Sequence, residues 1–139
     1  MVIELNFKSG KPVYLQIVDQ VKSAVASGVL VPGDPLPSIR PLAEELRVNR
    51  NTVLKAYLEL ENQHVIESFP GKGSFVKRSK SPLRREARHA LLNQEIDQAV
   101  VAAHHLQVSR ADFLALVNER FDEFEQRRDA ASATKSETP

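Results

Sequence analysis

A chain of 139 residues, 42% hydrophobic and 27% charged, has room for one full domain and a small second unit, but not for two large domains. Its lack of cysteine excludes a disulfide framework, a thiolate zinc site and a thiol nucleophile, and no apolar run approaches the length of a membrane span. The net charge of +1 excludes a uniformly basic surface: residues 1–78 hold ten Lys and Arg against eight Asp and Glu, and residues 79–139 hold nine against ten. Affinity for phosphate would therefore have to come from local patches.

Val2 to Phe7 reads as a short extended segment ended by Ser9-Gly10, and two charges within Met1 to Gly10 set it apart from a signal h-region. A soluble, cytoplasmic protein is expected. Pro12 opens a helix whose apolar stripe is Tyr14, Ile17, Val18, Val21, Ala24 and Val25, and Gly28 is its expected C-cap. Val29 to Leu36 is a connection, with Pro32-Gly33 suited to a type II turn and Leu30 and Leu36 as anchors on the core.

The most informative stretch runs from Pro37 to Val76. Ser38 is a good N-cap, Pro41 falls in the first turn where its missing N–H does no harm, and Leu42, Ala43 and Leu46 form one apolar face. Arg47 lies near the negative end of that helix. Val48 and Asn49 turn the chain, with Asn49 placed to cap the next helix. There Val53, Ala56, Tyr57 and Leu60 must face inward, which leaves Arg50, Asn51, Thr52 and Lys55 as a polar cluster at the helix start. A helix buried on one side, with hydrogen-bonding side chains on its opening turns, is what reading a major groove requires. Val65 to Phe69 and Ser74 to Lys77 then flank Pro70-Gly71-Lys72-Gly73, a hairpin whose tip can approach a phosphate backbone closely and enter a minor groove. The expected fold class is mainly α with a small β-wing: a winged helix-turn-helix domain over residues 1–78, followed by a C-terminal α-helical hairpin over 79–130.

Lys77 to Ser81 is a polar connector ended by Pro82. A helical pattern follows through Leu83, Ala87, Leu91, Ile96, Val100 and Ala103 to about Leu106, its stripe wandering between faces. Ser109 and Asp112 make a capping-box variant. The helix after them, about Arg110 to Arg128, is expected to bury Phe113, Leu114, Leu116, Val117, Phe121 and Phe124. Residues 131–139 are small and polar, and are expected to be disordered. Two helices cannot cover three phenylalanines by themselves, so pairing with a second copy is expected, with Leu91, Ile96, Val100, Phe113, Val117, Phe121 and Phe124 at the interface. Two symmetric reading heads imply a palindromic site.

The segments PVYLQI, PGDPLPSIRPLAEEL, VNRNTVLKAYLELE and PGKGSFV, in this order, resemble the DNA-binding domain of the GntR-type bacterial transcription regulators. The short C-terminal part resembles the YtrA subfamily, which carries only a small helical dimerisation unit. The resemblance implies a sequence-specific transcription regulator, a repressor that occludes a palindromic operator as a homodimer and performs no catalysis. Members of the subfamily often control transport operons, and some respond to a ligand, which leaves room for a small-molecule effector in a pocket lined by the phenylalanines. Three departures stand out: Asn49 where the family has Ser or Thr, His64 where it has Gly, and Phe69-Pro70 where it usually has a basic residue close by. His64 can avoid a left-handed conformation only if its helix ends differently.

Arg40 and Arg50 are the expected base contacts, since a guanidinium fork matches guanine O6 and N7. The resemblance carries over Arg40 from the PS-x-R motif and Arg50 ahead of Thr52-Val53 as typical DNA contacts. The plainer alternatives are solvated arginines, or an ion pair between Arg40 and Glu44. Ser38, Asn49 and Thr52 combine capping with donation to phosphates. Lys55 is expected on a phosphate, and Gly71, Lys72 and Gly73 form the wing contact. Asn49 and Asn51 would suit adenine.

His104 and His105, with His89 nearby, point to different helix faces, and no metal or other cofactor is expected. Arg84, Arg85 and Arg88 are either flanking phosphate contacts or a solvated helix start. Asp122, Glu123 and Glu125 form a solvated acidic face without a nucleophile beside them. The rival reading is a winged-helix protein–protein interaction module that no longer binds DNA.

Overall fold

The structure, a computed structural model, describes residues 1–78 and 85–136, and side chains as far as residue 133. Its elements in order are α1 (Val13–Ala26), α2 (Ile39–Leu46), α3 (Arg50–Asn62), β1 (Ile66–Phe69), β2 (Gly73–Val76), α4 (Arg85–His105) and α5 (Arg110–Ser136). Leu83, Arg84 and the connector residues 79–82 lie outside the described residues, as do 137–139. The chain divides into two compact units, one of Met1–Lys80 with Arg127–Pro139 and one of Ser81–Gln126.

In the first unit, α3 is the central element and contacts α1, α2 and β1. The helical stripes meet there: Ile17, Val18, Val21 and Ala24 from α1, Leu42 and Ala43 from α2, and Val53, Ala56, Tyr57 and Leu60 from α3. Leu30 and Leu36 anchor the connection, and Ile66 and Val76 close the core from the wing. Full burial of such an aliphatic side chain contributes about 1.5–3 kcal/mol, so these stripes hold the unit together.

β1 and β2 pair antiparallel in the register Ile66↔Val76, Glu67↔Phe75, Ser68↔Ser74, Phe69↔Gly73. The connection does more than link helices. Asp34 N–H bonds the Val31 carbonyl at 2.9 Å and Gly33 has φ 92°, which makes the expected turn at Pro32-Gly33. The chain then runs along β2: Gly33 N–H to the Val76 carbonyl, Val76 N–H to Asp34, and Leu36 N–H to Ser74, at 2.8–2.9 Å. Pro35 bridges Phe75 at this outer edge, where its missing N–H is harmless. The Arg78 guanidinium sits over the turn; a Cβ on Gly33 would lie 2.5 Å from its Nη2.

The extended N-terminal segment finds its partners in two glutamine side chains of α1. Gln16 accepts from Asn6 N–H at 2.8 Å and donates to the Asn6 and Lys11 carbonyls at 3.0 and 2.9 Å. One turn on, Gln20 accepts from Glu4 N–H at 2.8 Å and donates to the Glu4 carbonyl at 2.6 Å. Ile3 and Leu5 pack on the core beneath.

Three helices end alike, on a left-handed residue followed by a half-buried valine. Arg47, His64 and Gln107 have φ of 57°, 60° and 57°, and Val48, Val65 and Val108 follow them. In each case the left-handed residue bonds three back and the valine five back, as in Val48 N–H to Ala43 at 3.0 Å, Val65 to Leu60 at 2.9 Å and Val108 to Ala103 at 2.9 Å. This is the Schellman arrangement. His64 therefore does not escape the left-handed conformation, because burying Val65 beside β1 requires the chain to reverse there.

In the second unit, Ser109 Oγ accepts from Asp112 N–H at 3.2 Å and starts α5. That helix continues to Ser136, so residues 131–136, expected to be disordered, are helical. Ala131 and Ala133 lie in this stretch, and alanine is the best helix former. Within one chain the α5 apolar residues are only partly covered. Leu114 and Leu116 are about half exposed and Phe121 is 64% exposed, while Phe113, Val117 and Phe124 are half-buried. Leu91, Ile96 and Val100 of α4 are exposed as well, and α4 and α5 do not pack closely along each other. Their apolar residues wander around each helix, so neither presents one stripe that the other could cover.

Candidate nucleic-acid interface

α3 begins with a filled cap. Asn49 Oδ1 accepts from Asn51 N–H at 2.8 Å, and the Asn49 carbonyl accepts from Thr52 N–H at 3.0 Å, so the opening turn is held rigid. Arg50 and Asn51 stand exposed on that turn, and Thr52 is half-buried. Ser38 is the N-cap residue of α2, but its side chain makes no capping bond, contrary to its expected role. Its backbone carbonyl accepts the Leu42 N–H at 3.2 Å as the first bond of the helix, and the residue is exposed.

Arg40, in the first turn of α2, is exposed. It forms no ion pair with Glu44 among the described residues, and Arg50 and Lys72 are likewise unpaired there. Three cations thus face solvent without an internal counter-charge. Lys55 differs: its ammonium lies over the Tyr14 ring, 4.2 Å from the centroid, a cation–π contact that fixes it on the α1 side of α3. Tyr14, read as a stripe residue, is half-buried and offers its ring face to this lysine.

α2 and α3 are locked together by Tyr57, whose hydroxyl donates to the Pro37 carbonyl at 2.6 Å. Burial raises the Tyr57 pKa from 10.0 to about 12, because the phenolate would lose its hydration.

The wing tip is a type II turn: Pro70 and Gly71 are its central residues, Gly71 has φ 75°, and Lys72 N–H bonds the Phe69 carbonyl at 3.0 Å. Gly73 has φ 109°, and a Cβ on Gly71 or Gly73 would meet nothing within 4 Å. Both glycines leave open space on either side of exposed Lys72. One pair below the tip, Ser68 N–H bonds Glu61 Oε1 at 3.1 Å, tying β1 to α3, and the Ser68 and Ser74 hydroxyls bond each other at 2.7 Å.

Between α3 and the wing lies an open cleft of about 560 Å³, lined by Ser38, Leu54, Leu58, Phe69 and the Gly71–Gly73 tip among others. Leu54 and Leu58 were not singled out from the sequence. Their signal was available, since both fall off the inward stripe of α3. His104 and His105 stack edge to face with ring centroids 5.6 Å apart, and among the described residues no three His, Cys, Asp or Glu side chains group as metal ligands.

Residues 13–76 match the family of bacterial regulatory proteins of the gntR type. The HTH-type transcriptional repressor YtrA of Bacillus subtilis (strain 168) is 35% identical over 107 residues, which cover 77% of this chain and 82% of that protein. The crystal structure of a transcriptional antiterminator from Listeria monocytogenes EGD-e is similar at a TM-score of 0.78 and 34% identity, covering 89% of this chain and 92% of that one. YtrA from Sulfolobus acidocaldarius, a GntR-family transcription factor, is similar at 0.55 and 36% identity, covering 70% and 99%.

Proposed function

The chain belongs to the GntR family of bacterial regulatory proteins, and from that membership we propose that it is a YtrA-type transcription repressor that binds a palindromic operator as a homodimer. Arg50, Asn51 and Arg40 read base edges in the major groove, while Ser38, Asn49, Thr52 and Lys55 hold flanking phosphates. Lys72, between Gly71 and Gly73, enters the adjacent minor groove. Repression follows from occlusion of the promoter in the cytoplasm. The observation that carries this reading is the capped opening turn of α3, with the side chains of Arg50 and Asn51 exposed beside a glycine-flanked lysine wing.

Homodimer formation is supported by the exposed Leu91, Ile96, Val100 and Phe121 and the half-buried Phe113, Val117 and Phe124. Their number on two short-linked helices is greater than scattered surface residues account for. No helix among the described residues is long and apolar enough to cross a membrane, so these side chains are not read as a membrane span. An effector at the interface of the two copies would regulate the spacing of the reading heads.

Selection of bound duplexes from a random pool tests the proposal. The expected product is an inverted repeat whose preference relaxes in Arg50→Ala. Lys72→Ala is expected to weaken binding evenly across sequences and to lower the salt slope by about one. A chain that retains no duplex at low salt would be an interaction module instead.

A further inference from the structure

The outward strip of α3 changes chemistry along its length. By helical spacing Leu54 is four residues from Arg50 and three from Asn51, so it lies one turn along, between the lines those two residues define. Leu58 follows one turn later and Glu61 after that. Leu54 is 41% exposed and Leu58 50%. Neither is one of the buried core residues, and both line the cleft beside the wing. The Glu61 carboxylate is committed to Ser68 N–H, and its charge keeps the far end of the helix away from phosphates. The first two turns are therefore the part of the strip best suited to close approach. Within them, an apolar side chain stands next to the two residues expected to read bases.

We infer that Leu54 is a specificity-determining residue that packs against the 5-methyl group of a thymine in each half-site. This inference rests on the DNA-binding reading above and adds a base preference to it. In the major groove the thymine methyl is the apolar feature a base pair displays, whereas the other features are hydrogen-bond donors and acceptors. A leucine cannot satisfy a donor or acceptor, and against any base but thymine it would desolvate polar edges without replacing their bonds. Leu54 thus favours thymine by contact and disfavours the alternatives by burial. Leu58, a turn farther from Arg50, lies along the cleft toward the wing and supplies a control of the same chemistry.

The test uses the full chain and a duplex it selects. Each thymine is replaced singly by deoxyuridine, which removes only the methyl and keeps pairing. One position in each half-site is expected to weaken wild-type binding about fourfold, as burial of one methyl predicts. Leu54→Ala should bind the unmodified duplex about as weakly and lose nothing more on deoxyuridine. Leu58→Ala should keep the full deoxyuridine penalty. The inference is overturned if no thymine shows a penalty in the wild type, or if Leu54→Ala remains as sensitive as the wild type. The scan on the wild type needs no substitution in the protein. If the chain selects no duplex at all, the DNA-binding reading fails and this inference goes with it; a selected duplex without a methyl effect removes the inference alone.

Discussion

The Tyr57 hydroxyl donates to the Pro37 carbonyl across 2.6 Å, and through this bond α3 fixes the entry of α2. Pro37 lies three residues before Arg40, and Tyr57 lies two turns after Arg50. The bond thus sets the spacing between the two arginines expected to read bases.

Burial moves the Tyr57 pKa from 10.0 to about 12, so stability acquires a defined alkaline dependence. Below pH 10 the phenol is neutral in both states, and its contribution is complete. Between pH 10 and 12 the unfolded chain loses the proton first, so stability falls as pH rises through that window, by on the order of 2 kcal/mol. Tyr57→Phe is expected to cost about 1 kcal/mol at neutral pH and to abolish this component of the alkaline loss. Urea titrations of both proteins at pH 8, 10 and 11 measure it; parallel alkaline losses in the two would contradict the assignment.

His64 holds φ 60° at the end of α3, where a side chain costs about 1 kcal/mol relative to glycine. His64→Gly is expected to stabilise the chain by somewhat less than that, because glycine also loses more backbone entropy on folding. His64 Nδ1 lies 3.5 Å from Lys77 Nζ, a contact at the limit of hydrogen bonding that adds little to hold the histidine. The midpoint of thermal unfolding should rise by a few degrees. An unchanged or lower midpoint would mean that the histidine ring contributes packing worth more than the strain.

Gln16 is buried and makes three hydrogen bonds to the N-terminal segment, while the equivalent pair from Gln20 is exposed. Gln16→Ala should cost about 2 kcal/mol, since it leaves backbone groups of Asn6 and Lys11 to find water. Gln20→Ala should cost less than 1 kcal/mol. Hydrogen exchange reads the difference locally: Asn6 N–H loses protection in the first variant and keeps it in the second. Loss of Asn6 protection in both would mean that the segment is held as one cooperative piece.

The helices of the first unit were legible because their apolar residues recur at 3.6-residue spacing and their ends carry capping chemistry. Asn49 as cap, the turn at Pro32-Gly33 and the glycine-flanked tip at Lys72 follow from local residue types. What escaped the reading depends on partners distant in sequence. Asp34–Leu36 looks like a plain connection until β2 lies beside it. Gln16 and Gln20 look like polar positions on a helix until the N-terminal backbone aligns with them. The Lys55 ammonium finds the Tyr14 ring only because α1 and α3 pack together.

Ser38 shows the same division within one residue. Its position as N-cap is set by the local sequence, but whether the hydroxyl bonds the helix end depends on a side-chain rotation that sequence pattern does not constrain. The extension of α5 to Ser136 runs against the small, polar composition of that stretch, because its alanines have high helix propensity. The sequence by itself determined which faces turn inward and which residues stand on the opening turn of α3, because burial periodicity and capping are local properties. Only the tertiary structure decided which polar groups meet across the fold and which leucines line a cleft, because those relations arise from packing between elements far apart in the chain.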